Sequence, residues 1–317
     1  MKLYLSAAFV AFLLSLAFCL LLIPVLRKIG IGQNILSYVK EHKTKSGTPT
    51  MGGLAFILAA VFAAALFMGG ISRTAIVTVT VGLAYMAVGF LDDFLKKRRK
   101  ENLGLRAYQK FGFQLVVAVF AAAYAYRAGL TELYLPFFNR RVDLGGWTLP
   151  LVILLFLSTV NAVNLTDGLD GLAAGVSIPY FLCFGIVCLL TNGESPLSLI
   201  AFCLVGALAA YLLFNSSPAS VFMGDTGSLA LGGFASCIAA FSGNALFVLL
   251  LGIMFVFSVI SVVLQVIYYK ATKGKRIFLM SPVHHHFQQK GYSESKIAYA
   301  YSVVTAVMGA LCIITVL

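Results

Sequence analysis

Ten stretches of this chain, each close to the length of a membrane-crossing helix, carry almost no charge. They run over residues 3–26, 52–70, 73–91, 111–128, 147–163, 171–190, 196–214, 228–242, 245–267 and 297–316. A helix needs about 20 apolar residues to cross a hydrocarbon layer ~30 Å thick. Inside lipid every backbone N–H and C=O must be paired within the chain, which an α-helix does by itself. The expected fold is therefore an all-α integral membrane protein, a polytopic bundle of about ten transmembrane helices. The first run, Leu3 to Val25, lacks a basic start followed by a small-residue cleavage site, so it reads as a retained helix and not a signal peptide. With 61% hydrophobic and 11% charged residues and a mean hydropathy of +0.97, a soluble domain is excluded. No polar stretch is long enough to bury a core of its own, so residues 1–317 read as one transmembrane domain with polar loops.

Orientation follows from the basic residues. Segments 27–51, 92–110 and 268–296 hold 18 of the 23 lysines and arginines. The positive-inside rule places these segments in the cytoplasm and both termini on the extracytoplasmic side. An inner face this basic attracts anionic lipid, and it also suits an anionic soluble ligand arriving from the cytoplasm. Nucleic acid is not expected, because no soluble domain presents a basic face. On the outer side, residues 129–147 alternate apolar and polar side chains around Asn139-Arg140-Arg141, the pattern of a small hairpin. The six cysteines are scattered through apolar runs with no metal-binding spacing, and are expected to be reduced small hydrophobic residues.

Polar residues on the inner side gather in five short segments: "HKTKSGTPTMGG" (42–53), "GFLDDFLKKRRKENLGL" (89–105), "NLTDGLDG" (164–171), "NSSPASVFMGDTGS" (215–228) and "MSPVHHHFQQKG" (280–291). All five adjoin cytoplasmic ends of the apolar runs, where they can share one site. Asp92 and Asp93 stand where a helix leaves the hydrocarbon, a costly place for an ionisable group. Ion pairs to Lys96 and Lys97, three to four residues on, are one account. A base or a divalent-metal site is the other, since adjacent carboxylates repel unless a cation lies between them. For Asp167 and Asp170, a helix starting near 167 would make Asp167 its N-cap and Asp170 its N3 residue. Alternatively Gly168 and Gly171 leave backbone open for a ligand pressed on the loop. Asp225 or Thr226 can cap the following helix. Together with the Asp pair and Asp167 or Asp170, Asp225 also supplies hard oxygen donors from three loops, a set suited to Mg²⁺ and not to soft metals. His284, His285 and His286 are consecutive, so a regular helix cannot turn all three to one metal; phosphate or ligand hydrogen bonding is the better reading. The first segment places Lys43 and Lys45 before a helix N-terminus, a ready anion site without the order of a Walker A loop.

Taken together, "GTPTMGG", "DD-x-x-K", "NLTDGLDGLA", "GDTGSLALGG" and "SPVHHHF" closely resemble the MraY family of phospho-N-acetylmuramoyl-pentapeptide transferases, within the polyprenyl-phosphate N-acetylhexosamine-1-phosphate transferases. The likeness covers nearly the whole chain. It implies transfer of phospho-MurNAc-pentapeptide from UDP-MurNAc-pentapeptide to undecaprenyl phosphate, giving lipid I and UMP, with Mg²⁺, in the bacterial inner membrane. By the same resemblance Asp225 is the magnesium ligand, Asp92 the base or nucleophile with Asp93 beside it, and His284 a member of the catalytic set. Lys45 and Thr50 match polar positions of the first loop, and Lys96, Lys100 and Lys110 the basic positions after the Asp pair. Asn164, Asp167 and Asp170 match positions lining the nucleotide site, and Phe222 the aromatic that stacks on uracil. Asn215, Gln265, His285 and His286 complete the implied substrate contacts, and a homodimer is implied. Gln288 departs from the family, which usually carries an acid there.

Two other readings are distinguishable. A sister transferase using UDP-GlcNAc or another UDP sugar should lack the triple histidine in this form. A cation-coupled transporter should hold its acids near the midplane of interrupted helices, not at span ends on one side.

Overall fold

The computed structural model describes residues 1–29, 47–99 and 104–317; Lys45 and Lys100 lie outside them. Twelve helices form among the described residues: α1 (Lys2–Lys28), α2 (Gly53–Phe67), α3 (Arg73–Arg99), α4 (Ala107–Arg127), α5 (Thr148–Thr166), α6 (Leu172–Asn192), α7 (Pro196–Asn215), α8 (Gly224–Phe241), α9 (Phe247–Leu251), α10 (Ile253–Ala271), α11 (Val283–Gln289) and α12 (Glu294–Ile314). Seven of them are long and apolar enough to cross a membrane: α1, α3, α5, α6, α7, α10 and α12. Every expected apolar run falls on helix, with one interruption. The run 245–267 is split at Gly252 into α9 and α10.

The sequence of α1 shows how one helix serves two solvents. Tyr4, Ala7, Ala11, Ser15, Cys19, Ile23 and Leu26 recur every three or four residues and are buried. Leu5, Phe9, Leu13, Leu20 and Val25 on other faces are exposed, as side chains meeting lipid tails are. Ser15 Oγ donates to the Ala207 carbonyl of α7 at 2.8 Å, spending its one polar group inside the bundle.

At the centre stands α8, buried at every residue from Thr226 to Phe241. Its glycines explain how. Gly227 faces Gly53 of α2, Gly232 faces Val160 of α5, and Gly233 faces the ring of Tyr85 of α3, in each case too closely for a Cβ. From the other side, Gly89 of α3 lies against the backbone carbonyl of Asp225. Small residues let helix backbones approach when lipid offers no hydrophobic drive. The packing of α2, α3 and α5 on α8 thus fixes the end of the bundle where Asp92, Asn164 and Asp225 sit.

The hairpin expected within residues 129–147 forms: β1 (Glu132–Leu135) pairs antiparallel with β2 (Arg140–Asp143), Glu132 opposite Asp143 and Leu135 opposite Arg140. Tyr134 N–H donates to the Gly243 carbonyl at 2.8 Å, and Arg141 to the Thr191 carbonyl at 2.8 Å, tying the hairpin to the ends of α8 and α6. It precedes α5, whose far end carries Asn164, so hairpin and acidic cluster lie at opposite ends of that helix, separated by ~25 Å. The six cysteines are free and buried.

The close approach at Gly89 gives a direct test. Gly89→Ala should lower the thermal stability of the detergent-solubilised protein by ~1–3 kcal/mol, the usual cost of overpacking. Gly112→Ala on α4, where no atom lies within 4 Å of the added methyl, should leave the unfolding temperature unchanged or slightly raised.

Candidate active site

The first turn of a helix presents backbone N–H groups with no partner inside the helix. At α8 that need is met from another helix. Asp93 of α3, 4% exposed, accepts from the N–H of Asp225 at 3.2 Å, the N–H of Thr226 at 3.0 Å and the Thr226 hydroxyl at 2.7 Å. The sequence expectation of Asp225 or Thr226 as the cap is corrected here: the N-cap position is Met223, which makes no side-chain cap bond. With the amides satisfied by Asp93, the Asp225 side chain is left to face the other way.

It does so into a charged cluster. Asp225 Oδ1 accepts from Asn164 Nδ2 of α5 at 2.7 Å, while Oδ2 accepts from Lys96 Nζ at 2.8 Å and from Lys110 Nζ of α4 at 3.0 Å. Lys110 also donates to Asn164 Oδ1 at 3.2 Å, and Asn164 Nδ2 reaches Ser228 Oγ at 2.8 Å. Lys96 lies 2.6 Å from Asp92 Oδ2 and 3.9 Å from Asp93 Oδ1, so the expected helical ion pairs form, through Lys96. Asp92 Oδ1 accepts the Leu105 N–H at 2.7 Å, and Gly104 leaves no room for a Cβ beside that carboxylate.

One oxygen from each of Asp92, Asp93 and Asp225 lies within 4.8 Å of the others. Hard, anionic donors at this spacing from two helices fit a small divalent cation of the magnesium type, and no thiol belongs to the group. The Lys96 ammonium among the three carboxylates already shows the positive charge they call for. Two lysines against three acids leave the cluster short of positive charge, which a metal ion would supply.

The loop between α5 and α6 differs from its expected form. Asp167 is the C-terminal cap residue of α5, and α6 starts at Leu172 behind Gly171, whose φ of +73° favours glycine. The two acids are therefore not N-cap and N3 of one helix: both precede α6, whose start waits until Leu172. Asp170 Oδ2 accepts the Ala219 N–H at 3.0 Å, and Asn215 Oδ1 accepts the Gly171 N–H at 3.2 Å, joining this loop to the 216–223 segment. Asp167 is only partly covered, yet its carboxyl is pushed up to about 8, first by desolvation and then by the charges of Asp225, Asp93 and Asp170. It stands in the electrostatic field of the cluster.

The 47–53 loop closes the other side. Phe222 N–H donates to the Pro49 carbonyl at 2.8 Å and Gly52 N–H to the Phe222 carbonyl at 2.9 Å. Gly224, φ +71°, sits so close to Asp93 and to Thr50 Oγ1 that a side chain there would collide with both. Thr50 and half-buried Phe222 thereby reach the rim of the acidic cluster.

The histidines sit on the short helix α11. His284 is fully buried against Gly168, and neither ring nitrogen has a hydrogen-bond partner among the described residues. Burial, then the neighbouring His285, holds its pKa down to about 3, so it is neutral at physiological pH. His285 Nδ1 meets Gln288 Oε1 at 3.1 Å. His286 Nδ1 accepts the Leu279 N–H at 3.1 Å, and its pKa is lowered by burial and by Lys290. Gln265 spends its amide on the chain itself, accepting from the N–H of Ile277 and Phe278 at 3.1 and 3.0 Å and donating to the Phe278 carbonyl at 3.1 Å. It holds the loop before α11 on α10.

One residue escaped the sequence reading. Glu294, first residue of α12, accepts the Asp170 N–H at 2.8 Å and Gln288 Nε2 at 3.2 Å, linking the histidine helix to the 167–171 loop. Its only signal in the sequence was an acid following a helix-capping Ser293.

Glycosyl transferase family 4 matches residues 74–243, more than half the chain, and the signature of the phospho-N-acetylmuramoyl-pentapeptide-transferases matches residues 45–57. Among curated proteins, the phospho-N-acetylmuramoyl-pentapeptide-transferase of Clostridium botulinum strain Eklund 17B is 41% identical over 98% of this chain and 94% of its own length. That of Clostridium perfringens strain 13 is 44% identical over 90% of each chain, and that of Listeria welshimeri 42% over 95% of each. Fold, acidic cluster and family match together define a multi-pass membrane transferase. Within that class the chain belongs to the phospho-N-acetylmuramoyl-pentapeptide-transferase family.

The raised carboxyl of Asp167 fixes a sign. A folded-state value of about 8 against 3.8 means that the folded protein holds a proton the unfolded chain has lost, so this group's stabilising contribution declines as pH rises from 3.8 to about 8. Asp167→Asn should flatten the fall of thermal stability across that interval, measured without divalent ions. An unaltered pH dependence would show that Asp167 is ordinarily ionised.

Proposed function

We propose that the protein is the Mg²⁺-dependent enzyme that moves phospho-MurNAc-pentapeptide from UDP-MurNAc-pentapeptide to undecaprenyl phosphate, releasing UMP and leaving lipid I in the membrane. The observation that supports this most is the meeting of Asp92, Asp93 and Asp225 with Lys96 and Lys110 at one end of the bundle. The reading includes ten membrane crossings, both termini outside, and this end of the bundle facing the cytoplasm in the inner membrane.

The reaction joins two anions, so charge neutralisation matters more than covalent assistance. An oxygen of the lipid phosphate attacks the sugar-linked phosphorus of the UDP substrate, and the bond to the UMP oxygen breaks. Lys96 and Lys110 offset the charge of the approaching phosphates. Asp92 takes the proton from the lipid phosphate; its Oδ1 is held by the Leu105 N–H and its Oδ2 by Lys96, an arrangement suited to a fixed proton acceptor. Asp225, with Asp92 and Asp93 beside it, would hold the magnesium ion, which would supply charge neutralisation and orientation of the phosphate oxygens. Asp93 serves the site through α8, as the acceptor for its first amides. Phe222 offers a ring for the uracil, and Asn164, Thr50, Asp167, Asp170, Asn215 and the histidines surround the nucleotide and sugar.

The acids are gathered at helix ends on one side: the C-terminal parts of α3 and α5 and the first turn of α8. That favours a membrane-surface enzyme over a transporter.

Asp225→Asn should lower UMP release by about 10³-fold or more in a detergent assay with Mg²⁺, undecaprenyl phosphate and the UDP substrate. Glu194→Ala, on the exposed turn between α6 and α7, should leave it unchanged. Equal activity in the two variants would refute the site. Activity with UDP-GlcNAc but none with UDP-MurNAc-pentapeptide would make it a sister transferase.

A further inference from the structure

The contacts of α11 and α12 contain an asymmetry that bears on one proton. An ionised carboxylate can only accept hydrogen bonds, and an amide has one accepting and one donating end. Glu294 accepts the Asp170 N–H through Oε2 at 2.8 Å, and its Oε1 faces the Gln288 amide at 3.2 Å. Facing an acceptor, Gln288 must turn its NH₂ toward Glu294. Its carbonyl oxygen is then the atom 3.1 Å from His285 Nδ1. A carbonyl oxygen cannot donate, so the bond forms only if Nδ1 bears the hydrogen. In a neutral ring the other nitrogen, Nε2, is then the acceptor. That nitrogen borders Gly168, where an added Cβ would lie 3.0 Å from it.

From this geometry we propose that Glu294 is a positioning residue that, through Gln288, fixes the tautomer and ring orientation of His285, so that neutral His285 presents Nε2 as a hydrogen-bond acceptor toward the 167–171 loop. The effect on turnover rests on the functional reading above, in which His285 touches the UDP substrate; the tautomer does not. The amide at 288 is what makes the relay work. A carboxylate there would face the carboxylate of Glu294 and could not donate to it.

The readout is ¹⁵N NMR of histidine-labelled protein in detergent, above the ordinary titration range of His, ~6.5. Only four histidines are present, and His285→Asn identifies the signals of His285. The wild type should show a protonated Nδ1 and an unprotonated Nε2. In Glu294→Gln the new amide oxygen takes the Asp170 N–H, its NH₂ faces Gln288, and Gln288 turns over, so the proton of His285 should move to Nε2. Gln288→Met, which removes the relay while keeping volume, should release the preference for Nδ1 and serves if Glu294→Gln does not fold.

In the transferase assay Glu294→Gln should lower kcat/KM on the order of tenfold, the scale of one misdirected hydrogen bond. A wild-type ring protonated at Nε2 or on both nitrogens, or an Nδ1 tautomer unmoved in both variants, would overturn the proposal. A moved proton with unchanged kcat/KM would overturn the positioning role. A wild type that shows the stated tautomer but transfers nothing would refute the functional reading alone.

Discussion

Asp93 reaches out of α3 to take the first two amides and the Thr226 hydroxyl of α8, and the rest of the site is arranged around that contact. A helix start buried in a bundle cannot leave its N–H groups unpaired, because no water is there to meet them. By meeting them from α3, Asp93 sets the register between the two helices and turns Asp225 toward Asp92 and Lys96. The glycines act in the same direction. Gly89 admits the Asp225 carbonyl and Gly224 admits Thr50, so backbones meet at distances that larger residues forbid.

The charged cluster is the second consequence. Carboxylates this close repel, and the bundle answers with Lys96 among all three and Lys110 on Asp225, with Asn164 fixing the remaining oxygen. Each partner comes from a different element: α3, α4, α5 and α8. A site assembled from four helices is rigid only as far as the bundle is, which explains why α8, its hub, is the most enclosed helix. Around it, the 47–53, 167–171 and 216–223 segments are tied together by backbone bonds and by Asp170 and Asn215, forming a polar rim over an apolar body.

Much of this was legible in the sequence. Apolar runs gave the positions of the helices because length and the absence of charge are enough to specify a lipid-facing helix. The Asp pair, Asp225 and Asn164 stood out because ionisable or amide groups beside apolar runs are costly without partners. The local roles were not legible. Asp93 reads like a twin of Asp92, and only the packing of α3 on α8 shows that this member of the cluster also accepts the first amides of α8. Asp167 and Asp170 imitate a capping box, but the left-handed turn at Gly171 delays the helix. Gln265 is marked in the sequence only by the family resemblance, and its bonds to the loop before α11 depend on tertiary packing. Glu294 was missed because its partners, Asp170 and Gln288, are brought to it by tertiary structure.

The account depends on a divalent ion lodging among Asp92, Asp93 and Asp225. The most direct measurement is anomalous diffraction from crystals of the protein soaked in Mn²⁺, a scatterer that substitutes for Mg²⁺ on oxygen ligands. A single peak within coordination distance of the Asp225 carboxylate, absent from Asp225→Asn crystals, is the predicted result. Protein that turns over in Mn²⁺ but shows no peak at this cluster, or a peak elsewhere in the bundle, would contradict it.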